Sequence, residues 1–487
     1  MKEKKEFLGE FIINKKIKSY GKIAIDNDKT NLLINIINPP LNFGELMEIK
    51  GELSNLKKVT CIEPVVNNIS KNIGDNGECS CQLSIFSHFV IIGKKHLDIS
   101  ENNILSITFT TQDIDKVFFD SKSFGKIIHS KEIELIINNS KKEDIKISKN
   151  PVFFYFSGQL DLLKIKTSTG MFKLSNRPIF LGQGRNGEFL RNTMTVSLEF
   201  PSLINFDECI TRTLSLIRFL NILAGREQSI QEVKLNIAND ISKLDEEMEL
   251  HWSNATKESD IKGSSPHYGD IPIRPLENSK EFKKVIVNWL GHESTRRAAR
   301  VRYNSCSNKG SFYNIDRLVA AANMFDILSK EELPSLKPLS NELINARDEC
   351  KKIFSKLNQT PERDIILGAL GRMDKPSLTS KVLFRADFIL KEIGHIFPDL
   401  PLVIKTAIKV RNYFVHGSNE LNYEKIESLI PFLTDSLEFT FAASDLIECG
   451  WNAKEWASNN YGLGHGFTCF RHSYKENIEL LKESLKK

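Results

Sequence analysis

PLVIKTAIKVRNYFVHG, residues 401–417, decides how the second half of this chain is read. Pro401 suits a first helical position, where its missing N–H is one the helix cannot use. Gly417 suits a left-handed C-terminal cap, which favours a residue without a Cβ. Between them Ile404, Ala407, Ile408, Phe414 and Val415 recur at three- and four-residue steps, the spacing of one apolar helix face. Arg411 interrupts that stripe. A guanidinium is rarely buried alone, because losing its water costs several kcal/mol. Arg411 is therefore expected either to pair with a carboxylate inside the fold or to open onto something anionic. His416 follows five residues on, about 140° around a regular helix. A departure from the repeat in the last turn before Gly417 would swing the imidazole toward Arg411, so that both groups address one phosphate, with Asn412 beside them. The bland alternative is a structural ion pair, a C-terminal His that favours the helix dipole, and an exposed Asn.

Outward from this helix the chain stays helical. NYEKIESLIPFLTDSLEFTFAASDLIECG reads as a long helix kinked by Pro431, and GLGHGFTCFRHSYKENIELLKESLKK as a loop and a polar terminal helix. Upstream, SKEFKKVIVNWLG, HESTRRAARVRYN, NIDRLVAAANMFDILS, NELINARDECKKIFSKL, RDIILGALG and SKVLFRADFILKEIG carry helical periods between Pro- or Gly-bearing turns. Together they predict an up-and-down bundle of roughly four to six helices. Arg296, Arg297, Arg300 and Arg302 are candidates to contact an RNA backbone, or else form a solvated helix face with Glu293 nearby.

The first half is of another kind. From Met1 to about Pro201, runs such as FLGEFIIN, KIAID, NLLINIIN, CQLSIFSHFVIIG, EIELIINN and MTVSLEF are short, rich in Ile, Val, Phe and Thr, and separated by Asn, Asp, Gly and Ser. That cadence predicts an antiparallel sandwich or barrel. No Gly-rich phosphate loop appears. FDECITRTLSLIRFLNILAG follows as a buried helix, with Asp207 as N-cap and Gly225 as stop. Ser242 to Asp270 is polar and reads as a surface connection, part helix and part loop. The expected organisation is α+β and multidomain: a β-rich sensing or regulatory part over 1–205, a helical connector and linker over 206–278, and an all-α bundle over 279–487.

Whole-chain numbers exclude several classes. The 67 basic and 62 acidic residues leave a formal charge of only +5, so any basic surface must be local. Eight Cys show no repeated framework and MKEKKEFLGEFIINKK carries no signal peptide, which predicts reduced thiols and a cytoplasmic location. No apolar run approaches the ~20 residues of a membrane span. His465, Cys469 and His472, with Cys449 as a fourth, have spacings that zinc could use. No Cys-x2-Cys pair supports that reading, so unliganded loop residues are preferred and neither metal nor cofactor is expected. Cys79 and Cys81 read as inert thiols, and Trp289 and Tyr303 as core or boundary residues.

The helical half, through RNYFVHG, NIDRLVAAANMFDIL and WLGHESTRRAARVRYN, resembles the HEPN domains of prokaryotic toxin and defence proteins. The whole chain resembles the ApeA family of anti-phage proteins, in which a β-rich N-terminal domain precedes an ApeA-type HEPN bundle. HFVIIGKKHLDISENNILSITFTTQDIDKVFF is similar to that family's strand pattern. The resemblance implies a metal-independent endoribonuclease with Arg411, Asn412 and His416 as catalytic residues. It further implies RNA, transfer RNA among the candidates, as substrate, and a homodimer or higher homo-oligomer through the HEPN part with a composite site. A phage-derived trigger would act on the N-terminal part, with growth arrest as the outcome. Related bundles often place an acidic residue in the first helix; the nearest equivalents here are Asn323 and Asp326. The competing reading is a non-catalytic RNA-binding or sensor protein that keeps the bundle as a dimerisation scaffold.

Overall fold

In the computed structural model, residues 4–486 are described except 15–16, 27–28, 38–47, 74–78, 129–130, 132–134, 136–138, 140–151, 185–186, 239–245, 254–260, 262, 335–338, 418–421 and 460–461. Two units divide the chain: residues 1–261 with 265–291, and 262–264 with 292–487.

Alternating aliphatic residues in the first unit build β1 (Lys5–Ile13), β2 (Ile17–Asp26), β3 (Lys29–Ile37), β4 (Glu48–Leu53), β5 (Lys58–Ile73) and β6 (Cys79–Gly93). Every pairing is antiparallel, and the order β6-β3-β2-β1-β4-β5 closes because β5 also pairs with β6. The result is a six-stranded barrel, filled by one side of each strand: Phe11, Ile23, Ile34, Ile49, Val59 and Leu83 are all buried in it. Where β6 runs past β3, its residues Phe89 to Ile92 take a new neighbour and the sheet continues as an open wing.

The wing comprises β7 (Ile104–Thr111), then, after a helical turn α1 (Ile114–Val117) and a separate pair β8 (Phe124–Ile128) and β9 (Val152–Phe156), the strands β10 (Asp161–Thr167), β11 (Gly170–Gly184) and β12 (Gly187–Ile204). Helix α2 (Phe206–Ala224) and strands β13 (Ile230–Ile237) and β14 (Glu246–Trp252) complete it, in the order β6-β14-β13-β7-β12-β11-β10.

Here the structure corrects the sequence reading. Residues 206–278 are not a connector, because β13 and β14 lie in the middle of the sheet between β7 and β6. Met248, Leu250 and Trp252 alternate inward with Glu247, Glu249 and His251, a period of two. Helix α3 (Ser279–Gly291) belongs to this unit and not to the bundle, since the Phe282 ring packs on Phe118, Phe172 and Phe219, and Trp289 packs on Phe219. The N-cap of α2 is Asn205, which accepts from the Glu208 N–H, and not Asp207. Of EIELIINN only Leu135 and Asn139 are described, and both are helical; the rest lies outside the described residues.

The second unit is helical: α4 (Glu293–Ser307), α5 (Ile315–Asp326), α6 (Asn341–Ser355), α7 (Pro361–Leu370), α8 (Leu378–Ile393), α9 (Leu400–His416), α10 (Ile430–Cys449), α11 (Ala453–Ser458) and α12 (Gly466–Leu485). Apolar nearly all round, α10 sits at the centre, against α4, α5, α8, α9 and α12. Pro431 occupies its first turn, so it starts this helix and does not kink it. The hydroxyls of Thr434, Ser436 and Thr440 donate to carbonyls four residues back, which satisfies them inside the core.

Two charge clusters tie α10 to its neighbours. Asp445, fully buried, accepts from Arg300 Nε at 2.8 Å and Nη2 at 3.0 Å and from Arg296 Nη1 at 2.6 Å. Arg296 also meets Glu332 and Glu448, Arg300 meets Glu293, and Arg385 of α8 meets Glu448. Burial alone would raise the Asp445 carboxyl, but Arg300 and Arg296 overcome it and hold the group well below the usual carboxylate range. Arg296 and Arg300 are thus core residues, and their assignment to RNA is withdrawn; Arg297 and Arg302 are exposed.

In the second cluster, Arg317 donates to both Glu438 oxygens at 2.8 and 2.9 Å, and Tyr313 donates to both Asp435 oxygens at 2.9 and 3.0 Å. Burial, with Glu438 close by, pushes the Asp435 carboxyl up to about 7.

Asp445→Ala would strand two buried guanidinium groups. It is expected to cost about 3–5 kcal/mol in urea unfolding, whereas Arg297→Ala should stay within about 0.5 kcal/mol of the parent. Asp435 behaves oppositely with pH. Its folded carboxyl keeps a proton that the unfolded group, near 3.8, gives up, so stability falls as pH rises toward 7. Asp435→Asn should flatten the thermal midpoint between about pH 5 and 8, with a gain on the order of 1–2 kcal/mol at the upper end.

Candidate active site

Helix α9 presents Val403, Ile404, Ala407, Ile408 and Val410 to the core, and this burial fixes its rotation. Its last turn leaves the core: Phe414 is 40% exposed and Val415 43%, so the apolar stripe expected through them ends at Val410. Gly417 closes the helix at φ 63°, and its N–H donates to Tyr413 O at 3.0 Å.

The expected residues converge here. Arg411 Nη1 donates to Asn412 Oδ1 at 3.0 Å and lies 3.0 Å from His416 Nε2. The α-helix persists to His416, so the long Arg411 side chain reaches around the helix and no backbone departure brings the imidazole over. A guanidinium can only donate. For this contact to be a hydrogen bond, Nε2 must accept, which requires the tautomer with the ring proton on Nδ1.

From α5, Asn323 Oδ1 accepts from Arg411 Nη2 at 3.0 Å. The sequence left Asn323 and Asp326 as alternatives for this position, and the structure separates them. Asp326 instead accepts from Lys381 Nζ at 3.0 Å, toward solvent. The two are three positions apart on one helix, so only the cross-helix contact could decide. Arg411 is thus oriented by two neutral amides and an imidazole, and it makes no ion pair among the described residues. Its Nε is buried without a hydrogen-bond partner there. Among the described residues, the carboxylate pairing held open from the sequence is not found.

The other candidates do not join this cluster. His465 Nδ1 accepts from the Phe467 N–H at 3.0 Å as a cap of α12, and buried Cys449 lies 3.8 Å from His292 Nδ1. Among the described residues, no three His, Cys, Asp or Glu are grouped as metal ligands. Cys81 is buried in the barrel, whereas Cys79 is only partly covered. Trp289 and Tyr303 are both buried.

Comparison with protein families supplies the context. Residues 6–289 match ApeA N-terminal domain 1. The chain belongs to the ApeA family. Residues 319–455 match the Apea-like HEPN domain, so the family region contains Asn323, Arg411, Asn412 and His416. The first ApeA match ends inside α3, consistent with that helix belonging to the β unit. HEPN domains are generally associated with RNases and defence, and they commonly dimerise. No curated protein and no solved structure matches this ApeA chain. Among the described residues, no helix is long and apolar enough to cross a membrane.

Gly417→Ala tests the closing turn of the site. A Cβ there meets nothing within 4 Å, so the only cost is left-handed backbone, about 1–2 kcal/mol, readable by thermal unfolding.

Proposed function

We propose that this ApeA-family chain is a metal-independent endoribonuclease of prokaryotic anti-phage defence that acts in the cytoplasm on RNA, transfer RNA or another host RNA. The observation that carries the reading is the Arg411 guanidinium, without an ion pair among the described residues, held 3.0 Å from His416 Nε2.

RNA brings its own nucleophile. A scissile phosphate would take the Arg411 donors now given to His416, which frees Nε2 to accept the proton of the 2′-hydroxyl. The 2′-oxygen then bonds to phosphorus, charge gathers on the phosphorane oxygens, and Arg411 stabilises it. Asn323 and Asn412 hold the guanidinium in place. Breakage of the P–O5′ bond leaves a 2′,3′-cyclic phosphate and an alkoxide, which takes a proton to become the 5′-hydroxyl. One imidazole cannot serve both proton transfers at once. A two-fold dimer supplies the second, because an isologous interface brings the same motif from each copy to one cleft. Exposed Phe414 and Val415, with Ile327 (44% exposed) just beyond α5, give such an interface apolar surface beside the motif. The β unit would restrain the bundle or sense the trigger, and infected cells would stop growing.

Purified protein, His416→Ala and Arg411→Ala would be incubated with total RNA in EDTA. The parent is expected to cleave and to leave cyclic phosphate ends, and each variant to lose about 10²-fold or more in rate. Equal binding by all three proteins with no cleavage would instead support a dimerisation scaffold that binds RNA.

A further inference from the structure

The exposed side of α9 carries a second feature, which the roles given to Arg411, Asn412 and His416 do not use. Lys405 and Lys409 are exposed on it. Taken at about 100° per residue, Lys405, Lys409, Asn412 and His416 fall within an arc of about 60°. The two lysines are therefore collinear with the site and run away from it along one ridge. Four helical residues rise about 6 Å, so the ridge offers a polar contact every turn.

A pair of lysines on a helix is most often a solvated face. What sets this pair apart is the helix that carries it, in line with the site. From Leu400 to Gly417 the sequence contains no Asp or Glu, although charged residues make up 26% of the chain. Four other lysines of the bundle lie against carboxylates: Lys381 on Asp326, Lys391 on Asp387, Lys454 on Glu392 and Lys482 on Asp399. Lys405 and Lys409 make no ion pair among the described residues. Their ridge leads to His416, which lies against a guanidinium that also makes no ion pair among the described residues.

We propose that this ridge is a track for single-stranded RNA, in which Lys405 and Lys409 bind successive phosphates on one side of the bond to be cut. The proposal rests on reading the site as a ribonuclease. A single strand fits better than a duplex for two reasons. The ridge is one line of cations and follows one backbone. In-line attack by a 2′-hydroxyl also requires a local geometry that a stacked A-form helix does not allow. Arg297 and Arg302 are not needed for this contact.

The test uses the full chain with His416→Ala, to prevent turnover, and a fluorescein-labelled single-stranded RNA of mixed sequence. Lys405→Gln/Lys409→Gln is expected to weaken binding about tenfold at 0.1 M salt. It should also lower the slope of log affinity against log salt by about 1.4, the value for two phosphate contacts on a single strand. Lys405→Arg/Lys409→Arg should restore both. In the chain that retains His416, the Gln pair should raise KM and leave kcat nearly unchanged. Unchanged affinity and slope would overturn the proposal. So would an equal loss in the control Lys391→Gln/Lys454→Gln, or equally tight binding of the matching duplex. A parent that cleaves RNA while the Gln pair behaves identically defeats the track alone. A parent that neither binds nor cleaves RNA defeats the ribonuclease reading with it.

Discussion

Asp445 sits where no water reaches it, and its charge survives only because arginines from neighbouring helices surround it. Arg296 and Arg300 come from α4, while Arg385 of α8 engages Ser444 and Glu448 one residue before it and three after it. The central helix is otherwise apolar on nearly every side, and apolar contact alone fixes neither its rotation nor its height. Directional pairs do both. With α10 locked, the helices that pack on it, α5 and α9, have a defined place to stand. The contact between Asn323 and Arg411 is made between those two helices.

The bundle treats its guanidinium groups in two ways. Arg296, Arg300 and Arg317 lie within carboxylate shells that cancel their charge, and these groups hold the core together. Arg411 is positioned just as firmly, yet its partners are amide oxygens and a ring nitrogen, which orient a cation without neutralising it. A carboxylate at Asn323 would compete with any phosphate for the same donors. Asn323 holds the guanidinium without adding a negative charge.

Local rules made much of this legible in the sequence. Gly225 and Gly417 end helices as read, because left-handed caps are a property of single residues. The barrel strands were visible as short runs rich in Ile, Val, Phe and Thr, and the motif at the end of α9 was visible in its order. What could not be read depended on distant partners. Arg296 and Arg300 look like a basic surface until Asp445, almost 150 residues on, comes to meet them. β14 carried a clear alternation, but its acidic outward residues and polar flanks made it resemble a loop. The choice between Asn323 and Asp326 waited on which of them faces a helix that begins far downstream.

Closure of the barrel has a consequence for how the first unit can meet another protein. Six strands that pair in a ring expose no unpaired edge, and the wing joined to the ring at β6 is covered there by β14. Among the described strands of that large sheet, only β10 has a neighbour on one side alone. Within that sheet, a peptide recruited through main-chain hydrogen bonds would zip onto β10, and recognition by the closed barrel must be made with side chains or loops.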